Sequence, residues 1–230
     1  MTAGPHFGES LLATAYLPPV SYFFAIAHSD RVWIEQFENY QKQSWRNRCR
    51  ILSAAGPEDL SIPVVREERR SRPIRDIRID YTEPWLQHHI RALAAAYNAS
   101  AYYDYYADDL IPILESKPVF LFDLNMALLE KLLELLDIHV PIALTETFVP
   151  PADASLRSDP GQPTARLPIF DGRSRIQPKY KGNSLLAEFG CEQAYYQVFV
   201  NRDPSAGFIP DLSVIDLLSA EGPDAGRFLC

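Results

Sequence analysis

LLATAYLPPVSYFFAIAHSDRVWIEQFENYQKQSWRNRCR, residues 11–50, decides the fold class. The apolar run Leu11–Leu17 stops at Pro18-Pro19, and a run of that length bounded by proline reads as a buried strand. Val20–His28 reads as a short aromatic helix ended by Ser29-Asp30. Val32-Trp33-Ile34 is a second strand, and the β–α–β order makes the two strands parallel. The chemistry then changes, as aromatic and amide residues interleave with Lys42, Arg46, Arg48 and Arg50. A cationic, hydrogen-bonding loop after a strand is how α/β proteins place ligands at strand ends. The plainer reading is that the prolines turn a corner and the basic residues solubilise a surface.

Working outward, Arg48–Ser53 and Leu60–Val65 flank Ala-Ala-Gly-Pro-Glu-Asp and read as a hairpin with a longer loop. Ile74, Ile77 and Ile79 suggest an edge strand. Thr82-Glu83-Pro84 is a helix entrance. The helix then runs to about Asn98, with Trp85, His89 and Leu93 on one face and His88 elsewhere. A tyrosine-rich helix follows, and then a long helix over 118–138. There Asp123, Glu130, Glu134 and Asp137 form one stripe, with Asn125 about 200° from Asp123 on the apolar side. Val140–Thr145 is a short strand, Tyr195–Val200 another, and Leu212–Ala220 a helix that Asp211 or Ser213 can cap. Residues 1–9 have no periodicity and read as disordered, and the proline-rich stretch near 150–180 reads as a flexible loop. The expected fold is one α/β domain over 1–230, with a mixed sheet and a helical segment at 82–138.

The chain of 230 residues is long enough for a substantial core, and 47% hydrophobic with 23% charged residues describes an ordinary globular protein. No apolar run reaches the roughly 18 residues of a membrane span. No Lys or Arg precedes Arg31 to form the n-region of a secretion signal. Three cysteines, Cys49, Cys191 and Cys230, fit a reduced, cytoplasmic setting better than a disulfide framework, and no spacing suggests zinc or another metal. The net charge of −8 disfavours nucleic acid. Residues 42–78 hold ten basic against five acidic residues, so this segment is +5 and the remainder −13. A cationic segment in an acidic chain suits a small anion: phosphate, diphosphate or carboxylate.

The usual dinucleotide and P-loop fingerprints are absent, as are nucleophile-elbow and zinc-protease motifs. No marker of a cysteine nucleophile surrounds Cys191. Four groups remain as site candidates. Tyr16, Pro18 and Tyr22 could hold a ligand at a strand end, or belong to the core. Lys42, Asn47 and Arg48 offer a point charge, an amide and a fork for an oxyanion or for hydroxyls. His89 beside Trp85 can be a general acid or base, or a satisfied core histidine. The tyrosines from Tyr97 to Tyr106 can pack on sugar rings or on the core. Asn125 is either a staple or part of a pocket.

These groups carry a family resemblance. Tyr16-Leu17-Pro18, then Tyr22-Phe23, Ser29-Asp30, Lys42-x-x-Trp45-x-Asn47-Arg48, Ile62-Pro63-Val64, Trp85 with His89 and Tyr97, and Leu124-Asn125 resemble the WbqC-like proteins of bacteria. Tyr195–Phe199 and Gly207–Ser213 look like the ending of one branch. The resemblance covers roughly Leu11–Leu229, apart from the proline-rich insert. It implies association with O-antigen and other surface-polysaccharide gene sets, and a transferase acting on amino sugars is one role it implies. Many members carry His-Gln-Pro where this chain has Leu12, Ala13 and Thr14.

The leading expectation is a cytoplasmic transferase that modifies an activated sugar or related anionic metabolite, with no cofactor indicated. His89 is its acid or base, positioned by Trp85. Lys42 and Arg48 hold phosphate or carboxylate, Asn47 orients it, and Tyr16, Pro18, Tyr22 and Asn125 line the pocket. The alternative is a non-enzymatic binding or scaffold protein. Convergence of Lys42, Asn47, Arg48 and His89 on one concavity favours the enzyme, and their dispersal favours the scaffold. A nucleotide-binding enzyme entered through the first β–α–β unit is a third reading without a phosphate fingerprint.

Overall fold

Strand β1 (Gly8–Ala13) is buried along most of its length, as a strand inside a parallel sheet must be. In the computed structural model, which describes residues 5–68, 72–151, 170–202 and 207–229, β1 has a neighbour on each side. These are β2 (Ser29–Glu35) and a two-residue strand, β6 (Phe170–Asp171); β5 (Ile142–Leu144) extends the sheet beyond β2. All three pairings are parallel, with Ala13 opposite Glu35, Leu11 opposite Asp171 and Ile34 opposite Leu144. Their carboxyl ends therefore gather at one edge of the sheet. A separate antiparallel hairpin pairs β3 (Arg48–Ser53) with β4 (Gly56–Ser61). The expected mixed α/β class is the class observed.

Helix α1 (Val20–Ala27) connects β1 to β2 and is buried from Val20 to Ile26. A helix apolar on all sides needs cover all round. The sheet supplies one side. The other is covered by α5 (Leu185–Glu188), α7 (Val214–Glu221) and the closing 3-10 segment Gly222–Leu229. Helices α2 (Trp85–Tyr97), α3 (Tyr103–Glu115) and α4 (Leu121–Leu135) form the expected helical segment, with α2 on β3 and α3 against α4 and α7. Asp123, Glu130 and Glu134 are exposed while Asn125 is buried, so the polar stripe of α4 faces solvent as its spacing required.

Several boundaries differ from expectation, each for a physical reason. The first strand is Gly8–Ala13, not Leu11–Leu17, because Ala15, Tyr16 and Leu17 are buried in a loop; apolar runs mark burial rather than extension. Disorder expected at residues 1–9 is likewise corrected for 5–9, while 1–4 lie outside the described residues. Phe7 donates its N–H to His28 O at 2.9 Å and stacks on Phe170 at 4.4 Å. The hairpin turns tightly at Ala54-Ala55, so Gly56-Pro57-Glu58-Asp59 is strand rather than loop. Proline is tolerated there because β4 is an edge strand.

The edge strand expected at Ile74–Ile79 is a 3-10 turn, Ile74–Asp76, followed by isolated bridges. Pro84 precedes α2 instead of lying in its first turn. The flexible loop expected near 150–180 is ordered from Phe170 onward, while 152–169 lie outside the described residues. Cys49 is free and buried.

Tyr195–Val200 is not a strand. The chain is irregular over 191–197 and then forms α6 (Val198–Arg202). A buried carboxylate holds this segment: Asp216 of α7 accepts from Tyr195 Oη at 2.8 Å and Gln197 Nε2 at 2.9 Å. Asp216→Leu leaves these donors unpaired in the interior, each at about 1–3 kcal/mol. We expect urea unfolding to show a loss of about 2–4 kcal/mol; an unchanged midpoint would mean that the segment is held by apolar contacts alone.

Candidate functional site

Where the parallel strands end, five charged side chains are packed together. Glu35, the last residue of β2, is fully buried. Its Oε1 accepts from Phe37 N at 2.8 Å and Thr145 Oγ1 at 3.1 Å, and its Oε2 from Val149 N at 2.8 Å. Arg173 Nη1 approaches Oε2 at 3.4 Å and donates to Val149 O at 2.6 Å. The same guanidinium grips Asp171, at the end of β6, through Nε at 2.9 Å and Nη2 at 2.6 Å. Beside them Arg46 forks onto Glu38, through Nε at 2.7 Å and Nη2 at 2.5 Å. Two guanidiniums thus face three carboxylates. Ions in such a low-dielectric place persist only when paired and hydrogen-bonded. One group is left over: Thr14, just past β1, is 1% exposed, and its hydroxyl finds no partner among the described residues.

Beside this cluster an open cleft of about 220 Å³ runs along the amino end of α1. Ser21, Trp45, Arg50, Arg175, Tyr180 and Asp211 are among its lining residues. Arg50 lies over the Trp45 ring at 5.6 Å and Arg175 over the Tyr180 ring at 5.3 Å. Both guanidiniums remain partly exposed while paired, Arg50 with Asp59 and Arg175 with Glu188. Asp211 accepts from Ser21 N at 2.8 Å and Ser21 Oγ at 3.0 Å. Burial pushes its carboxyl up to about 6, aided by nearby Glu192, while the Ser21 hydrogen bonds and Arg50 oppose the shift.

Asp211 also answers the nucleotide reading. In dinucleotide folds a phosphate sits on the N–H groups that open the first helix. Here the chain's own carboxylate takes that place, anchored by a bridge between Pro19 and Ser213. So Asp211 caps α1, which corrects the expectation that it caps α7. Ser213 precedes α7 without a side-chain cap and donates its hydroxyl to Leu17 O at 2.8 Å.

A model of the WbqC-like protein family matches residues 14–228. The chain belongs to this family. It is also 30% identical over 227 residues to an uncharacterized protein, Rv1507c, of Mycobacterium tuberculosis, covering 95% of this chain and 97% of that one. No solved structure matches. Among the described residues no helix is long and apolar enough to cross a membrane.

The residues expected in the site of this WbqC-like protein are dispersed over several places. Tyr16, Trp85 and His89 meet in the core: Tyr16 Oη lies 2.9 Å from His89 Nδ1, and the Trp85 and His89 rings pack edge to face at 5.0 Å. His89 is 2% exposed. Burial lowers its pKa to about 4, helped by His88 and opposed by a hydrogen bond with the Ser61 backbone. Asn47 and Asn125 brace the loop around Arg46, donating to Ile62 O at 2.9 Å and to Arg46 O at 2.8 Å. Their amide oxygens have no partner among the described residues.

Pro18 accepts from Val214 N at 2.8 Å, and Tyr22 donates to Ala13 O at 2.8 Å. Lys42 is exposed, and Arg48 reaches Asp59 at 3.0 Å beside Arg50. Lys42, Asn47, Arg48 and His89 therefore do not share one concavity. Sequence reasoning passed over Glu35, Glu38, Arg173 and the cleft role of Asp211. The legible signal was Asp171-Gly172-Arg173, a charged pair inside a proline-rich stretch.

Two outcomes follow. Arg173→Met leaves the buried Glu35 and the half-buried Asp171 without their cation, so unfolding free energy should fall by about 3–5 kcal/mol; a loss below about 1 kcal/mol in urea titrations would place the cluster in contact with water. The second concerns pH. His89 titrates lower in the folded state than unfolded, so its contribution, on the order of 3 kcal/mol, is present at neutral pH and lost as pH falls from about 6.5 to 4. Asp211 titrates higher when folded, so it favours the fold at acid pH and loses that contribution as pH rises from about 4 to 6. The slopes oppose. Asp211→Asn should steepen the acid loss of stability, and His89→Phe should reverse it, in urea midpoints taken from pH 4 to 7.

Proposed function

We propose that this protein is a transferase that modifies an activated sugar or a related small anionic metabolite, bound in the cleft beside α1. One observation carries the reading: two partly exposed guanidiniums, two aromatic rings and a carboxyl shifted to about 6 line a single concavity. Arg50 and Arg175 bind the phosphate or other anionic part, since guanidinium matches oxyanions in forked geometry. Trp45 and Tyr180 pack on the apolar face of the sugar ring. Asp211 is mostly ionised at pH 7 and takes the proton of the sugar hydroxyl or amine as that atom bonds to the group being transferred; the bond from that group to its donor breaks, and the donor leaves with the electron pair as an anion. Ser21 keeps the carboxylate oriented. We assign the proton transfer to Asp211 rather than His89 because Asp211 lines the cleft while the His89 ring is closed off from solvent.

Family membership supports the carbohydrate context through the resemblance drawn above. The dispersal of Lys42, Asn47, Arg48 and His89 favours the second reading, a non-enzymatic binding or scaffold protein. The two readings separate by experiment. Purified protein is screened by thermal shift against nucleotide sugars, sugar phosphates and acyl-CoA compounds. A ligand at a hundred times its Kd adds about 2.7 kcal/mol. We expect a stabilising ligand whose effect is lost in Arg50→Ala and in Arg175→Ala and kept in Lys42→Ala. Absence of any stabilising ligand across the panel would reject the transferase in favour of the scaffold.

A further inference from the structure

A second, smaller pocket lies at the end of β1, behind the cleft. Leu12, Thr14, Tyr22, Trp45, Arg46 and Ile176 line it, and Trp45 and Ile176 also line the cleft. About 10 Å³ of it is open to a water centre, roughly the room one water needs. The cleft and the pocket are thus two rooms with a shared wall.

We propose that the pocket is the inner compartment of the ligand site and takes an uncharged hydroxyl or amide group of the ligand. The idea rests on the cleft reading for the ligand's anionic part, which stays outside with Arg50 and Arg175. Thr14 lines the pocket, and its hydroxyl is buried with no partner among the described residues. An unpaired buried hydroxyl is costly to keep, whereas valine would fill the same volume without that cost. A ligand hydroxyl or amide supplies the missing partner. Tyr22 adds an acceptor, because its phenol already donates its proton to Ala13 O.

Charge decides against an anion here. Arg46, the cation on the wall, is forked onto Glu38, and Arg173 is gripped by Asp171 and Glu35. The neighbourhood has one more carboxylate than guanidinium, so a second anion meets neutralised cations and net repulsion. Trp45, which lines both rooms, is fixed by its carbonyl, which accepts from Tyr16 N at 2.8 Å. In the geometry described a hydroxyl fits, and an amide requires a lining side chain to move.

The test is Thr14→Val, with Thr14→Ser keeping the hydroxyl. Crystals of the full chain are soaked in ethylene glycol and in acetamide, and urea midpoints are measured for all three proteins. We expect the valine variant to unfold at the same or a higher midpoint than wild type. We also expect one of the two probes to lie against Thr14 Oγ1 in wild type and in the serine variant, and to be absent from the valine variant. A lower midpoint in Thr14→Val makes the hydroxyl structural and overturns the proposal. So does an inner pocket free of both probes in wild type. UDP-glucose separates this from the cleft reading. A thermal shift lost in Arg50→Ala but intact in Thr14→Val keeps the cleft and removes the inner room. Probe occupancy at Thr14 without any shift by UDP-glucose supports the inner room and counts against a nucleotide-sugar ligand.

Discussion

Complete burial of Glu35 is the constraint on which the sheet end depends. A carboxylate with no solvent must be satisfied internally, and its hydrogen bonds come from Phe37, Thr145, Val149 and Arg173. Those donors belong to segments that follow three different strands. The ion therefore ties β2 to the chain leaving β5 and to the chain leaving β6. That explains how a strand of only two residues, β6, can hold its place: its last residue, Asp171, is gripped by Arg173 just beyond it, which is in turn held at Glu35.

Around this anchor the carboxyl end of the sheet has a floor of paired charges and an open side at α1. Parallel α/β sheets place ligands on this side. Here the position a phosphate takes on the first helix in nucleotide folds is held by Asp211, which lines the same cleft as Arg50 and Arg175 and feels the Arg50 charge.

The sequence made the first β–α–β unit, the three long helices and the burial of Asn125 legible, because each shows a strong period or a sharp stop. It hid β4 and β6. Gly56-Pro57-Glu58-Asp59 has poor strand propensity and is strand only because β3 pairs with it. Phe170-Asp171 is too short for any period and lies in a stretch whose prolines argue for a loop. Of the site candidates, Trp85 and His89 were read on one helix face because helical spacing is local, whereas Tyr16, read with Pro18 and Tyr22, meets His89 only through the fold. Arg173 and Asp211 were missed because their partners, Glu35 and Ser21, lie 138 and 190 residues away. Distance of that kind leaves no mark on periodicity.

The clasp between Asp211 and Ser21 also bears on how the chain is made. Helix α1 emerges early in synthesis, yet part of its cover lies among the last residues, in α7 and Gly222–Leu229. Until those leave the ribosome, one side of an almost wholly apolar helix has no mate. Contacts of such long sequence separation slow folding, and unpaired apolar surface in the interval invites association with other chains. The beginning of the molecule is thus finished only by its end, and shortening the chain at the C-terminus strips α1 of that cover.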